Sequence, residues 1–203
     1  IGIVGLPISM RLLRFLPERG VCFRRPVGLL LSAYVLWMLV TLGLLQNTTA
    51  AAALSVCLVG SVGLAVVWHE RRVLRAELYR LRRVMLLESV LFLASILLFG
   101  LFRAYNPEIA ATEKPMEYAF LNGILQSRTF PPQDPWLSGY SISYYYFGYV
   151  MSEMLTRLSA LPSEITFNLT GVSLFALTVS GSFALTYDLV ASSRKPDERN
   201  PAH

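Results

Sequence analysis

Four carboxylates, Glu108, Glu113, Glu117 and Asp134, share residues 103–149 with Arg103, Lys114, Arg128, Trp136 and the run Tyr144, Tyr145, Tyr146. A carboxylate can take a proton from a reacting hydroxyl, and Arg and Lys can offset the charge of an anionic group. Aromatic rings can stack on the flat face of a ligand. The segment lies between two hydrophobic stretches, where packing gives no reason to keep such residues, so it is the place to look for chemistry or recognition. Plainer roles compete. Acids at 113 and 117 suit the positive end of a helix beginning near Glu113, with Thr112 as its N-cap and Pro115 in its first turn. Trp and Tyr gather at membrane interfaces without binding anything, and an Asp before a Pro, as at Asp134, commonly forms a turn.

The elements that must position these residues are membrane helices. With 54% hydrophobic and 15% charged residues and a mean hydropathy of +0.50, the chain is too apolar for a soluble domain of its length. Stretches 27–45, 51–68, 84–102 and 165–190 approach the roughly 20 apolar residues that cross a bilayer. Residues 1–10 are apolar but short and precede Arg11 and Arg14, so they read as the end of a helix that starts upstream in a longer protein. No repeat or flexible linker divides the chain, which makes 1–203 a single membrane domain.

Eighteen residues are basic, sixteen of them Arg, with five in 11–25 and six in 71–83. Such short loops stay in the cytoplasm, so these bases read as topology signals and not as contacts to nucleic acid. The segment 103–164 is then extracytoplasmic. The basic tail, with Arg194, Lys195 and Arg199, fits the inner side. The stretch 69–83 keeps Val73, Leu74, Leu78 and Leu81 at helical spacing and reads as an interfacial helix whose Arg side chains reach anionic lipid.

Between 147 and 161, Phe147, Val150, Met151, Met154, Leu155, Leu158 and Leu161 form one apolar face, opposite Ser152, Glu153, Thr156 and Arg157. That is an amphipathic helix in the outer interface, with Glu153 and Arg157 as an i, i+4 pair. Glu88, an acid within a span, is expected to snorkel inward beside Arg82 and Arg83. Cys22 and Cys57 lie in different environments and form no disulfide framework, and His69 and His203 have no metal-ligand spacing. The sequon at Asn47 lies tight against the membrane and that at Asn168 at or in a span, so neither supports a glycosylation claim. The fold class is therefore all-α, with polytopic transmembrane helices and an extracytoplasmic loop carrying interfacial juxtamembrane helices.

The strings RAYNPEI, TEKPMEYAFLNGIL, FPPQDPWLSG and ISYYYFGY resemble the YYY-domain multi-pass membrane proteins, a family of unknown biochemical function, over about 26–190. That family is in turn similar to the GT-C class of lipid-dependent glycosyltransferases. The resemblance implies the amino-terminal part of a GT-C-like fold in a prokaryotic plasma membrane. It also implies transfer of a sugar from a polyprenyl-phosphate-linked donor at the outer face. Carried over by position, Glu113 is the catalytic acid residue, with Glu117 as the competing candidate; Lys114 stands where the class has the second member of an Asp-Glu pair. Lys114, Arg103 and Arg128 would offset the phosphate, while Asp134, Trp136 and Tyr144 to Tyr146 would contact substrate. The cofactor stays open, a divalent metal among the candidates, and the implied partners are membrane lipid and the lipid-linked donor. The alternative is a transporter or flippase of lipid-linked glycans, or a noncatalytic component of their assembly.

Overall fold

The computed structural model describes residues 1–193; the basic tail and His203 lie outside them. Among the described residues six helices follow in order: α1 Gly2–Leu12, α2 Arg24–Thr41, α3 Thr49–Tyr105, α4 Lys114–Gln126, α5 Phe147–Ser159 and α6 Ser163–Ser193. Among the described residues there is no strand, only an isolated bridge between Gln133 and Ser141. The protein is all-α, as its hydropathy pattern requires.

Two helices, α3 and α6, are long and apolar enough to cross a membrane. A core helix of a soluble protein would bury such a surface, yet only 11% of the most apolar stretch of α3 and 22% of that of α6 is buried. Leu93, Leu97, Leu98, Leu101 and Phe102 all stand exposed along one helix. Apolar side chains in such a row need a hydrocarbon solvent.

The stretches 51–68 and 84–102 lie on two helical limbs of α3 that meet at a kink at Glu70, and 71–83 continues the second limb. At 57 residues α3 is roughly 85 Å long, nearly three times the hydrocarbon thickness, so it cannot be one straight span. Glu70 breaks its backbone, with φ −116° and ψ 20°. The helix also folds back, as its two ends show. Just before α3, Asn47 donates to the carbonyls of Ile124 and Ser127 at the end of α4. Near its other end Arg103 donates to Asn168, in the first turns of α6, and α6 meets α4 through Tyr118, which touches Ser163 and Phe167. Since α4 has 13 residues and is about 20 Å long, both ends of α3 lie on one face of the molecule.

The short segment 13–23 lies along the elbow of α3. Val21 and Met10 pack with Val66, Leu74 and Leu81, and Arg11 and Arg19 pair with Glu70 and Glu77 at 2.7 and 3.2 Å. The helices α1 and α2 touch through glycines: a Cβ on Gly5 would sit 2.3 Å from the Arg24 carbonyl and 2.6 Å from the Gly28 nitrogen. Contact that close between backbones is a common way of packing helices where no hydrophobic effect drives them together. At the opposite end, a second cluster built on Leu36, Val40 and Ala52 takes in Phe120, Ile124, Val150 and Met154, which fastens α4 and α5 to α2 and the start of α3.

Candidate functional site

The chain enters α4 through Ala111 and Thr112, both left-handed at φ 65° and 55°. Two such residues in succession prevent the helix from starting earlier, so Thr112 is not its cap. Glu113 occupies the cap position but makes no side-chain capping bond, and Pro115 sits in the first turn. The Glu113 carboxylate is left exposed, one turn from the half-buried Glu117. At i and i+4 the two acids share a face of α4.

Across from that face lie three tyrosines. Burial, then the charge of Glu117, then Tyr145 and Glu113, push the Tyr149 phenol up to about 12. Tyr144 is also raised to about 12, chiefly because its hydroxyl donates to that of Tyr145 at 2.6 Å, with Glu113 among the lesser causes. Both phenols therefore stay protonated near neutral pH.

Phe120, one turn after Glu117 on the buried side of α4, organises the aromatic surface. Trp136 meets it edge-on at 5.2 Å, Tyr144 stacks on it at 5.5 Å, and Tyr149 tilts against it at 5.7 Å. Tyr145 then stacks on Tyr144 at 3.9 Å and is largely exposed. The outcome is a continuous ledge of rings, Trp136 to Tyr145, beside two carboxylates.

The other residues singled out from the sequence fall into three groups. Asp134 is a turn former: one of its oxygens accepts from the amides of Trp136 and Leu137 at 2.8 and 3.0 Å, which holds Trp136 in place. Tyr146 leaves its two neighbours and faces inward, where its hydroxyl accepts from the Trp37 indole at 3.1 Å. Arg103 lines a groove of about 420 Å³ between α3 and α6, with Gly100, Ile109, Leu169, Val172 and Glu164. Its partner Asn168 is held in turn by the carbonyls of Pro107 and Glu164. Neither Lys114 nor Arg128 forms an ion pair among the described residues, and the backbone carbonyl of Arg128 accepts from Asn47. Asn47 is buried, and its amide nitrogen donates to the carbonyls of Ile124 and Ser127. No three His, Cys, Asp or Glu side chains among the described residues converge as metal ligands.

Several buried charges escaped the sequence reading. Glu88 does not pair with Arg82 or Arg83: it is fully buried and held by Arg24, at 2.7 Å, and by Arg25, whose guanidinium lies over the Phe92 ring. Glu153 does pair with Arg157, but the polar face of α5 is not solvated, and Glu153 is fully buried. Glu18, in the 13–23 segment, is buried as well. Its carboxylate accepts from the amides of Gly20 and Cys22, and its own amide donates to Asp188. The spacing Glu18-x-Gly20-x-Cys22 carries no motif that announces this.

The model of the family described as uncharacterized membrane protein (DUF2298) matches residues 31–201, most of the chain and all of the outer ledge. The chain belongs to this family. Membership agrees with the exposed apolar surfaces of α3 and α6 and makes the molecule a membrane protein. No curated protein and no solved structure matches the chain.

Proposed function

We propose that this member of the family is a glycosyltransferase that moves a sugar from a polyprenyl-phosphate-linked donor at the outer membrane face. The observation that carries the reading is the ledge Trp136, Phe120, Tyr144, Tyr145 beside Glu113 and Glu117, outside the apolar lengths of the helices. In this reading α2, both limbs of α3 and α6 each cross the bilayer, residues 103–164 lie outside, and the basic elbow of α3 lies in the cytoplasm. Stacked rings suit the apolar face of a sugar, and paired carboxylates suit proton removal from its acceptor. One carboxylate takes the proton of the acceptor hydroxyl while its oxygen bonds to the anomeric carbon. The bond from that carbon to the phosphate oxygen breaks, and its electron pair leaves on the polyprenyl phosphate. Arg103, in its apolar groove, and Lys114 and Arg128 supply positive charge for that leaving group.

The test is transfer from a short-chain polyprenyl-phosphate sugar by the full-length protein in membranes. Glu113→Gln and Glu117→Gln, each compared with the wild type, are expected to identify the base by a loss of about 10²–10⁴-fold in one of them. Trp136→Ala should raise the donor concentration needed for half-maximal rate. Full activity in both Gln variants removes the carboxylates from the mechanism, and movement of the intact lipid-linked glycan without bond cleavage makes the protein a transporter.

A further inference from the structure

At the elbow of α3, far along the chain from the ledge, a groove of about 580 Å³ opens between α1 and the bent helix. Its volume falls within the roughly 300–1,000 Å³ of ligand pockets. The walls are apolar, with Leu6 and Met10 from α1 facing Val67 and Leu78 from α3, and Arg71, Arg72 and Arg75 stand along its edge. Arg71 and Arg75 are one turn apart on the same face. The acids nearby are already engaged: Glu70 binds Arg11, and Glu77 binds Arg19 and Arg80 at 3.2 and 2.6 Å. Among the described residues the three groove arginines have no acidic partner, so positive charge borders an apolar cleft with nothing in the fold to neutralise it.

We infer that this groove is a binding site for one anionic phospholipid, its phosphate between Arg71 and Arg75 and an acyl chain against Leu6, Met10, Val67 and Leu78. A basic pocket between membrane helices is the arrangement that recognises anionic headgroups, and the apolar walls accept a chain that a free anion lacks. The break in α3 at Glu70 falls within the groove, between Val67 and Arg71 of its lining. The site does not depend on what the outer ledge does.

The experiment is native mass spectrometry of the full chain released from nanodiscs containing equal amounts of phosphatidylglycerol and phosphatidylcholine. One phosphatidylglycerol per chain should be retained in preference. Arg71→Gln/Arg75→Gln should weaken that retention about thirtyfold, at roughly fivefold for each arginine near a headgroup. Arg82→Gln/Arg83→Gln, which removes the same charge from the same helix outside the groove, should leave it within twofold. Val67→Trp keeps every charge but fills the apolar wall, and it should also weaken retention. Equal losses in the two charge pairs would reduce the effect to diffuse attraction and overturn the site. So would wild-type retention in Val67→Trp, or equal retention of the two lipids.

Discussion

Glu18 shows how a single side chain can set a pH dependence in this fold. Burial is the main reason its pKa stands above the ordinary 4.5; the charge of Asp188 adds to the rise, and the amides of Cys22 and Gly20 oppose it. The folded chain thus binds the Glu18 proton more tightly than the unfolded chain does. That contribution to stability is fully present below about 4.5 and is lost as pH rises from there through the folded value. The thermal midpoint of the detergent-solubilised protein should fall over that window, and Glu18→Gln, which has no proton to lose, should flatten the fall. An unchanged slope in the variant would assign the effect elsewhere. The neighbouring Cys22 thiol is pushed up by burial first and then by Glu18 and Glu88, so it stays protonated and unreactive at neutral pH.

At the scale of elements, α5 shows both what the sequence makes legible and what it hides. The apolar spacing from Phe147 onward gave the helix and its limits almost to the residue, and the signals around Pro115 did the same for the start of α4. Hydrophobic length likewise located the apolar limbs of α3, because crossing hydrocarbon needs a fixed run of residues. Periodicity reports a helix's own faces and not what packs on them. Glu153 therefore read only as half of an ion pair on a polar face, whereas it is fully buried beside the end of α4: Arg157 binds Glu153 and also donates to the Leu125 carbonyl at 2.6 Å. The pairing of Glu88 with Arg24 and Arg25 was hidden for a similar reason, since the partners are more than sixty positions away and meet only once α3 has folded back. The ledge was half legible. Its residues were visible as a cluster, but the inward turn of Tyr146 depends on Trp37 of α2, which no local pattern connects to it. Arg157→Gln should cost about 3–5 kcal/mol of stability, because it leaves Glu153 buried without its counter-charge. Burial already raises the Glu153 pKa, so the cost should shrink as pH is lowered and the carboxylate takes a proton. Denaturation in mixed micelles at two pH values measures both effects, and a constant, small cost would mean the pair is dispensable.

For the whole molecule, the fold of α3 determines which residues share a side of the membrane. A straight helix of its length would put the start and end of α3 far apart, yet α4 touches the region around each. The 13–23 segment, meanwhile, is tied to the elbow through Arg19 and Glu77, and the end of α1 through Arg11 and Glu70. With Arg71 to Arg83 at that elbow and the ledge at the other end, the topology proposed above predicts the elbow in the cytoplasm and the ledge outside. The prediction can be read in intact cells with a membrane-impermeant maleimide. The background needs Cys57 replaced, since it is exposed, whereas Cys22 is buried and can stay. Ser138→Cys, in the exposed turn beside Trp136, should label in intact cells. Arg14→Cys, exposed in the 13–23 segment, should label only after permeabilisation. Labelling of both from outside would mean that α3 does not carry the chain across and back. Labelling of Arg14→Cys alone would invert the molecule, and the ledge could not then meet a donor at the outer face.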